Sequence, residues 1–441
     1  MSLAERRWLR LFTLCVLYVA QGVPFGFMAT TLPTYIKSAG VSDAVVGSAL
    51  AMTTLPYTFK WIWGPLMDVL TIPSLGRRRP WIMFAQLMMA VTVIAMVAIP
   101  DVTVDLDLLA WMILIHTVFN SMQDVAVDAL AVDLLDDSER GRANGLMYAC
   151  KYGGVVIGGA GMGRVIEAYD LNTALLAQTA ILLLIMLVPM LVRERSGPAP
   201  DRPPVREVFA GLAQVATLRS TLFAALLILG LNIGVGTLYI VGIGLYTDEL
   251  GWDPTDYTDL VGGIQPLVGF GASILGGFLA DLFGPKRLLM IASFALGAGW
   301  VLFSLAQPLW SNDTFIYLVA IWDIACMSVM LVSSYALCMA VSWPRVAATQ
   351  FAAYMALANM SSTIGYRLGG IAMEYVTYRE LYVIAGIVQG VVTLLALFID
   401  PKEARTTLPL TRWRVGPFTV VTALVFVAAV VVAPVVLLLL R

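Results

Sequence analysis

The chain of 441 residues contains more apolar surface than a soluble core of that length would hide. Apolar residues make up 60% of the sequence, charged residues make up 13%, and the mean hydropathy is +0.86. The composition therefore predicts a protein that crosses a lipid bilayer several times. A net charge of −2 without long basic runs argues against nucleic acid as a partner.

Hydrophobic segments predict an all-α membrane protein with twelve transmembrane helices and one extra C-terminal transmembrane helix. The predicted spans are 9–31, 44–66, 80–100, 107–134, 141–165, 171–192, 217–246, 256–282, 287–306, 314–340, 347–373 and 379–399, with the extra helix at 415–440. The extra segment contains no ionisable side chain, so we expect it to face lipid beside the twelve-helix core.

A proline-rich segment between the sixth and seventh spans divides the chain. It contains Ser196-Gly197-Pro198-Ala199-Pro200 and then Pro203-Pro204, a composition typical of a solvated linker. We predict a six-helix half at 1–195, a cytoplasmic linker at 196–216 and a second six-helix half at 217–400. A basic cytoplasmic stretch with the extra helix follows at 401–441.

Lysine and arginine predict the orientation of the chain in the membrane. With the N-terminus in the cytoplasm, 20 of the 27 basic residues fall in cytoplasmic segments, as the positive-inside rule requires. We therefore expect a multi-pass protein of the cell inner (plasma) membrane, with a cytoplasmic N-terminus and the C-terminus outside. No small-residue cleavage site follows the first apolar run, so this run is expected to be a retained helix.

A similar charged turn follows the second and the eighth spans. The first runs from Gly64-Pro65-Leu66-Met67-Asp68 to Gly76-Arg77-Arg78-Arg79, and the second from Gly277-Phe278-Leu279-Ala280-Asp281 to Gly284-Pro285-Lys286-Arg287. In both, an aspartate one turn after a glycine precedes a glycine turn with basic residues. The two aspartates lie 213 residues apart, about half of the chain, which indicates two related halves.

These features resemble the major facilitator superfamily, and the resemblance implies a bundle of two six-helix halves. Three motifs resemble its branch of AmpG-type muropeptide permeases and acetyl-coenzyme A transporters: Phe59-Lys60-Trp61-Ile62-Trp63-Gly64-Pro65-Leu66-Met67-Asp68, Gly76-Arg77-Arg78-Arg79-Pro80-Trp81 and Gln123-Asp124-Val125-Ala126-Val127-Asp128. The fifth span of that branch usually carries Tyr-Arg-Leu-Gly, whereas this chain has Cys150-Lys151-Tyr152-Gly153.

Charged residues within the spans are the candidate proton-coupling and substrate residues. An ionisable group near the bilayer centre costs about 2.5 to 3.5 kcal/mol, so each needs a partner, water or a function. Asn120, Asp124 and Asp128 share one face of the fourth span, and Gln123 borders that face. Asp124 and Lys151 both lie about 15 Å from the cytoplasmic end at about 1.5 Å per residue. They form either a pair that only fixes helix register or a titratable couple.

Charged residues at the cytoplasmic ends predict a conformational lock. Contacts made in one state and broken in the other are the differential interactions that alternating access requires. Direct substrate contact is the alternative role. The candidate cytoplasmic gate comprises Lys60, Asp68, Arg77, Arg78, Arg79, Asp281 and Arg287.

Polar and aromatic residues at or near mid-depth in the second half predict a substrate cavity. Amide and aromatic side chains suit the recognition of amides, hydroxyls and sugar rings better than that of a bare ion. The candidate cavity residues are Asn232, Gln265, Asn359, Trp322 and Tyr354.

The leading hypothesis is a secondary active transporter that takes up a bulky polar solute, such as a muropeptide or peptide-sugar conjugate, by proton-coupled alternating access. The alternative is transport of a coenzyme A ester, drug or other organic solute by facilitation or efflux. No enzyme is expected, because one histidine and four scattered cysteines form neither a nucleophile-base set nor a metal site. We expect no cofactor, and the proton gradient supplies the energy. The expected partners are the lipid bilayer, the solute and protons, with no indication of oligomeric state.

Overall fold

The computed structural model describes residues 2–38, 53, 56–57, 59–70, 72, 75–194, 205–252, 256 and 260–408. Within these ranges the chain is helical, and β-structure is limited to isolated bridges between Ser2 and Arg193 and between Ile72 and Gly76. Up to residue 215, the α-helices are α1 Arg7–Gly26, α2 Leu32–Ser38, α3 Trp63–Val69, α4 Arg79–Val97, α5 Leu106–Leu134, α6 Arg140–Val156, α7 Met162–Ala168, α8 Leu171–Leu191 and α9 Val205–Val215.

The remaining described α-helices lie after residue 215. They are α10 Arg219–Leu231, α11 Ile233–Gly244, α12 Gln265–Phe283, α13 Pro285–Leu305, α14 Asp313–Val341, α15 Ala347–Ala372, α16 Tyr378–Thr393 and α17 Glu403–Thr407. Short π-helical turns extend several of them, including Phe27–Thr31 between α1 and α2 and Ile157–Gly161 between α6 and α7. A turn of 3₁₀-helix, Lys60–Ile62, leads into α3.

Eight described helices are long and apolar enough to cross a membrane. They are Arg7–Thr31, Arg79–Val97, Leu171–Leu191, Arg219–Tyr239, Gln265–Phe283, Pro285–Leu305, Asp313–Val341 and Tyr378–Thr407. Helices α5 and α15, with 29 and 26 residues, are as long as these eight helices but carry more polar side chains than they do. The total of twelve spans stays a prediction. The extra helix at 415–440 lies outside the described residues.

Contacts divide the chain into two compact units. The first comprises Met1–Leu135, Met147–Phe209 and Val346–Ala352, and the second comprises Asp136–Leu146, Ala210–Arg345 and Ala353–Arg441. In the first unit, α4 packs against α5 and α8, and in the second unit α13 packs against α14 and α16. Part of the predicted linker forms α9, because its apolar residues recur at helical spacing.

Candidate functional site

A cluster of charged side chains lies inside the first unit. Lys60 Nζ donates a hydrogen bond to Asp124 Oδ2 at 2.8 Å, and Lys151 Nζ lies 3.9 Å from Asp124 Oδ1. Asp128, one turn further along α5, accepts a hydrogen bond from Tyr18 Oη at 2.5 Å. The structure thus brings Asp124 and Lys151 together. It adds Lys60 as a closer partner of Asp124, although the sequence analysis assigned Lys60 to the cytoplasmic gate.

The two lysines of this cluster differ in burial. The side chains of Lys60 and Asp124 are 6% and 8% exposed, whereas that of Lys151 is 26% exposed. The Lys151 ammonium also lies 6.0 Å from the ring centroid of Tyr18 and 5.8 Å from that of Tyr148, within cation–π range. Lys60 is therefore the enclosed partner of the carboxylate, and Lys151 is the more accessible one.

Glycines allow the helices that build this cluster to approach closely. A Cβ atom at Gly22 of α1 would overlap the carbonyl oxygen of Lys151 in α6. A Cβ at Gly158, in the π-helical turn after α6, would overlap the carbonyl oxygen of Val23. This small-residue packing, common between membrane helices, brings Tyr18 of α1 next to the lysine-bearing face of α6. The glycine-rich segment of the fifth span thus packs against α1.

Several buried amides near the charges have unsatisfied polar atoms. Both amide atoms of Gln123 and the side-chain oxygen of Asn120 have no hydrogen-bond partner among the described residues. The same holds for both amide atoms of Gln21 on α1, a residue that the sequence analysis missed. Buried polar groups are normally hydrogen-bonded, so unsatisfied ones favour contact with water or a solute. His116 is satisfied on one side only: its Nδ1 lies 2.9 Å from Thr92 Oγ1, and its Nε2 has no partner among the described residues.

Glu194 organises the basic turn of the first unit. Its carboxylate accepts hydrogen bonds from the backbone N–H groups of Arg77, Arg78 and Arg79 at 2.8, 2.6 and 2.6 Å. A carboxylate at a helix N-terminus satisfies free backbone donors and complements the helix dipole. Gly76 adopts a φ of 105°, and a Cβ there would lie 2.7 to 2.9 Å from atoms of this carboxyl group. The sequence signal for Glu194 was only an acidic residue near the end of a span.

Two arginines of this turn reach into the first unit. Arg78 Nε donates to Asp133 at 2.8 Å, and Arg79 Nε donates to the carbonyl oxygen of Pro189 at 2.8 Å. Arg77 Nη1 lies 3.9 Å from Asp133. Arg77 and Arg78 therefore share Asp133, near the end of α5, as an acidic partner. The side chain of Asp68 lies outside the described part of the molecule.

Asp281 occupies the corresponding turn of the second unit but has different partners. It accepts hydrogen bonds from the backbone of Gly141 at 2.7 Å and of Arg142 at 3.1 Å, and from Arg142 Nε at 2.6 Å. The sequence analysis assigned Asp281 and Arg287 to the cytoplasmic gate. Arg287 is exposed and makes no ion pair with a described residue. Asp281 caps the first turn of α6 because the glycine there permits close backbone approach.

The predicted cavity residues of the second unit lie at more than one helix interface. Asn232, at the junction of α10 and α11, faces α15: its N–H donates to Ser361 Oγ at 2.9 Å and its side chain to the carbonyl oxygen of Ala358 at 3.4 Å. On α15, Tyr354 is buried and Asn359 is half-buried. These three residues therefore belong to one region of the unit.

Two other predicted cavity residues lie elsewhere in the second unit. Trp322 of α14 is 49% exposed and donates from Nε1 to the carbonyl oxygen of Ala295 on α13 at 3.2 Å. Its ring also lies against Gly299. Gln265 is half-buried at the start of α12. The contacts of Trp322 therefore place it at the α13–α14 interface, away from the contacts of Asn232.

The fold and these charged turns define a membrane transporter. The family model of the Major Facilitator Superfamily matches residues 14–365 and 227–440. The chain belongs to the Major Facilitator Superfamily, and it is a transporter rather than an enzyme.

Individual relatives show which members of the superfamily this chain is similar to. The chain is 24% identical over 417 residues to the anhydromuropeptide permease of Escherichia coli (strain K12), covering 90% of this chain and 80% of that protein. It is 31% identical over 155 residues to the putative transporter AmpG 4 of Rickettsia conorii, where the match spans 34% of this chain and only 37% of the relative. These similarities support the AmpG-type resemblance found in the sequence motifs.

Solved transporters share the fold at low sequence identity. The Escherichia coli fucose:proton symporter FucP has a TM-score of 0.69 at 15% identity, covering 88% of this chain and 98% of the symporter. The human organic anion transporter MFSD10 has a TM-score of 0.64 at 11% identity, with coverage of 88% and 98%. At these identities the likeness establishes the fold.

Proposed function

We propose that the protein is a proton-coupled symporter that takes up a muropeptide-like solute across a bacterial inner membrane by alternating access. One observation carries the proposal: the buried carboxylate of Asp124 lies between the ammonium groups of Lys60 and Lys151. The anhydromuropeptide permease, similar over 90% of the chain, supports the solute class. The fucose:proton symporter supports the use of a proton gradient within the same fold.

Protonation of Asp124 changes which groups satisfy the two lysines. An ionised Asp124 neutralises charge on Lys60 and Lys151, and a proton on the carboxylate removes that attraction. Loss of one partner from a buried ion pair typically costs about 3 to 5 kcal/mol, so the protonated cluster favours new partners. Asp128, four residues away on α5, is one of them once it exchanges its hydrogen bond from Tyr18. A carboxylate on the solute is another. This difference between proton states biases the conformational equilibrium.

The unsatisfied amides beside the charges suit the rest of such a solute. A muropeptide carries sugar hydroxyls, amides and carboxylates. The buried side chains of Gln21, Gln123 and Asn120 supply donors and acceptors that have no described partner. The accessible Lys151, flanked by two tyrosine rings, supplies a cation for a carboxylate. Binding the solute therefore removes the penalty of unpaired polar groups and of a partly exposed charge.

Transport into proteoliposomes tests both parts of this proposal. Uptake of a radiolabelled anhydro-muropeptide should rise with an inward proton gradient and fall at least tenfold in Asp124→Asn and Lys151→Met. Exchange of labelled for unlabelled solute without a gradient should survive in Asp124→Asn if this residue serves coupling. Asp107→Asn, an exposed position near the start of the same helix, is the matched control. Gradient-driven uptake that persists in Asp124→Asn would refute the coupling role.

The solute class is tested with the same vesicles. Unlabelled muropeptide, a coenzyme A ester and a simple sugar are compared as competitors of labelled uptake. The proposal expects competition by the muropeptide alone. Transport of the coenzyme A ester without muropeptide transport would instead establish the alternative solute.

A further inference from the structure

A cavity of about 330 Å³ lies at one end of the second unit. It is formed where α10 and α13 begin and where the 3₁₀ turn Leu394–Phe398 ends. Its charged lining residues are Arg219, Lys286 and Asp400, and Leu397 and Phe398 contribute apolar surface. Two candidate membrane spans, Arg219–Tyr239 and Pro285–Leu305, begin at this cavity, so lipid headgroups are expected near it.

Arg219 is held by aromatic rings and not by a carboxylate. Its guanidinium carbon lies 5.5 Å from the ring centroid of Phe223 and 5.1 Å from that of Phe398. The two rings pack against each other at 4.8 Å. Arg219 is exposed and makes no ion pair with a described residue. Stacking fixes the plane of the guanidinium and leaves its N–H donors available for an oxyanion.

Lys286 contributes a second positive charge to the cavity. Its ammonium donates to the carbonyl oxygens of Leu397 at 3.2 Å and Ile399 at 2.8 Å. These carbonyls fix the position of the ammonium without neutralising it, and a lysine has a third donor. No ion pair joins Lys286 to a described carboxylate. Arg219 and Lys286 thus form a positioned pair of cations.

Asp400 makes the cavity unsuitable for a simple anion. Its Oδ1 accepts a hydrogen bond from the backbone N–H of Lys402 at 2.9 Å, and the side chain is exposed. Its charge disfavours a multiply charged free phosphate. A group with a phosphate beside a primary ammonium satisfies all three charges, because the phosphate meets Arg219 and Lys286 while the ammonium meets Asp400.

We propose that this cavity binds the phosphoethanolamine headgroup of a membrane phospholipid. The apolar side chains of Leu397 and Phe398, both exposed, provide contact for the first carbons of the lipid chains. Basic cavities between transmembrane helices bind the phosphates of anionic lipid headgroups at the cytoplasmic surface, and here Asp400 adds an acidic group for an ammonium. The same end of the unit also carries Arg287 and Lys402, in agreement with the positive-inside rule. The site is independent of the proposed transport mechanism.

Native mass spectrometry of the detergent-purified full chain tests the site. Matched dioleoyl phosphatidylethanolamine, phosphatidylcholine and phosphatidylglycerol are titrated separately. We expect phosphatidylethanolamine to bind at least fivefold more tightly than phosphatidylcholine, whose methylated nitrogen has no N–H for Asp400. Arg219→Gln or Lys286→Gln should weaken phosphatidylethanolamine binding at least fivefold. Arg287→Gln, an exposed cation outside the cavity, should leave it unchanged.

Asp400→Asn separates the headgroup from other phosphates. This variant should abolish the preference for phosphatidylethanolamine over phosphatidylcholine while retaining binding of both. The test stays informative even where Arg219→Gln does not fold. Equal binding of these two lipids to the wild type would overturn the proposal. Stronger binding of phosphatidylglycerol would overturn it in favour of an anionic-lipid site. Displacement of the lipid by inorganic phosphate would overturn it in favour of a soluble anion.

Discussion

The two units bury their polar groups with different chemistry. In the first unit, Lys60 and Asp124 form a buried ion pair beside amides that lack partners. In the second unit, neutral groups form hydrogen bonds between α13 and α16: Gln389 Nε2 donates to Ser293 Oγ at 2.8 Å, and Ser293 Oγ lies 2.6 Å from Thr393 Oγ1, while Gln389 Oε1 has no described partner. A network of neutral hydrogen-bonding groups keeps its partners when the proton concentration changes, whereas a buried ion pair changes when a proton arrives.

This comparison separates function from scaffold. Not every polar group of the second unit is neutral: Asp323 of α14 is acidic and lies beside Trp300 of α13. If the difference between the units is functional, substitutions in the first unit alter transport more than stability. Substitutions in the neutral network of the second unit have the opposite effect.

The largest effect is expected from breaking the buried ion pair. Lys60→Met should lower the free energy of unfolding by about 3 kcal/mol or more, because the buried Asp124 carboxylate then keeps only its longer contact with Lys151, at 3.9 Å. The double variant Lys60→Met with Asp124→Asn should recover most of that stability and still lack proton-driven uptake. Thermal unfolding in detergent and uptake in proteoliposomes measure the two quantities. If the double variant is as unstable as the single one, the pair contributes packing and not charge balance.

Leucine substitutions of one glutamine in each unit test the same comparison between the two units. Gln389→Leu in the second unit should cost about 1 to 3 kcal/mol, because Ser293 Oγ loses the hydrogen bond that Gln389 Nε2 donates to it. Gln123→Leu in the first unit should cost little or increase stability, because its amide has no described partner to lose. Transport per folded molecule should be unchanged in Gln389→Leu and reduced in Gln123→Leu. Equal loss of transport in both variants would contradict a functional role specific to the first unit.

The repeated glycine turns provide a third contrast. Gly76 and Gly284 both adopt positive φ angles, 105° and 85°. A Cβ at Gly76 meets the Glu194 carboxylate, whereas a Cβ at Gly284 meets no atom within 4 Å. Gly284→Ala should therefore cost about 1 kcal/mol from backbone strain alone, and Gly76→Ala about 2 to 3 kcal/mol because the helix cap is also displaced.

Thermal unfolding of the two alanine variants gives this difference directly. Glu194→Gln removes the charge of the cap and keeps its shape, so Gly76→Ala should cost less in that background than in the wild type. Equal costs at the two glycines in the wild type would mean that the turns are equivalent in structure as well as in sequence.

The sequence predicted the part of the site that depends on helix geometry. A rise of about 1.5 Å per residue was sufficient to put Asp124 and Lys151 at equal depth, and the four-residue spacing put Asp128 on the same face. Lys60 was assigned to the cytoplasmic gate together with Asp68 and the arginines of the basic turn. In the structure it starts the 3₁₀ turn Lys60–Ile62, and its side chain reaches Asp124.

Contacts set by helix rotation or by distant segments were not predictable. Depth alone did not reveal that Trp322 faces α13, because rotation of an apolar helix about its axis is weakly encoded when apolar residues surround it. Glu194 caps α4 from the end of α8, more than a hundred residues away along the chain. A single sequence contains no signal that links those two positions.

The smallest effect is expected from an exposed pair in the second unit. Asp137, in the loop between α5 and α6, accepts hydrogen bonds from both terminal nitrogens of Arg405. Arg140 Nη1 lies 2.7 Å from the same carboxylate. Partial burial acts to raise the pKa of Asp137, but the hydrogen bond from Arg405 and the surrounding positive charges outweigh it and hold the pKa below its usual 3.8.

The sign of the pH dependence follows from that lowered pKa. The folded state holds the Asp137 carboxylate ionised, so its contribution to stability is complete above the usual pKa and is lost as the pH falls through the lowered one. The side chain of Asp137 is 59% exposed, so solvent and salt screen the pair and the contribution should stay below about 1 kcal/mol. Thermal unfolding of the wild type and Asp137→Asn from about pH 7 to about pH 3 measures it. The difference should be greatest at neutral pH and should shrink at high salt and on acidification; a difference that grows on acidification would mean that Asp137 binds its partners in the protonated form.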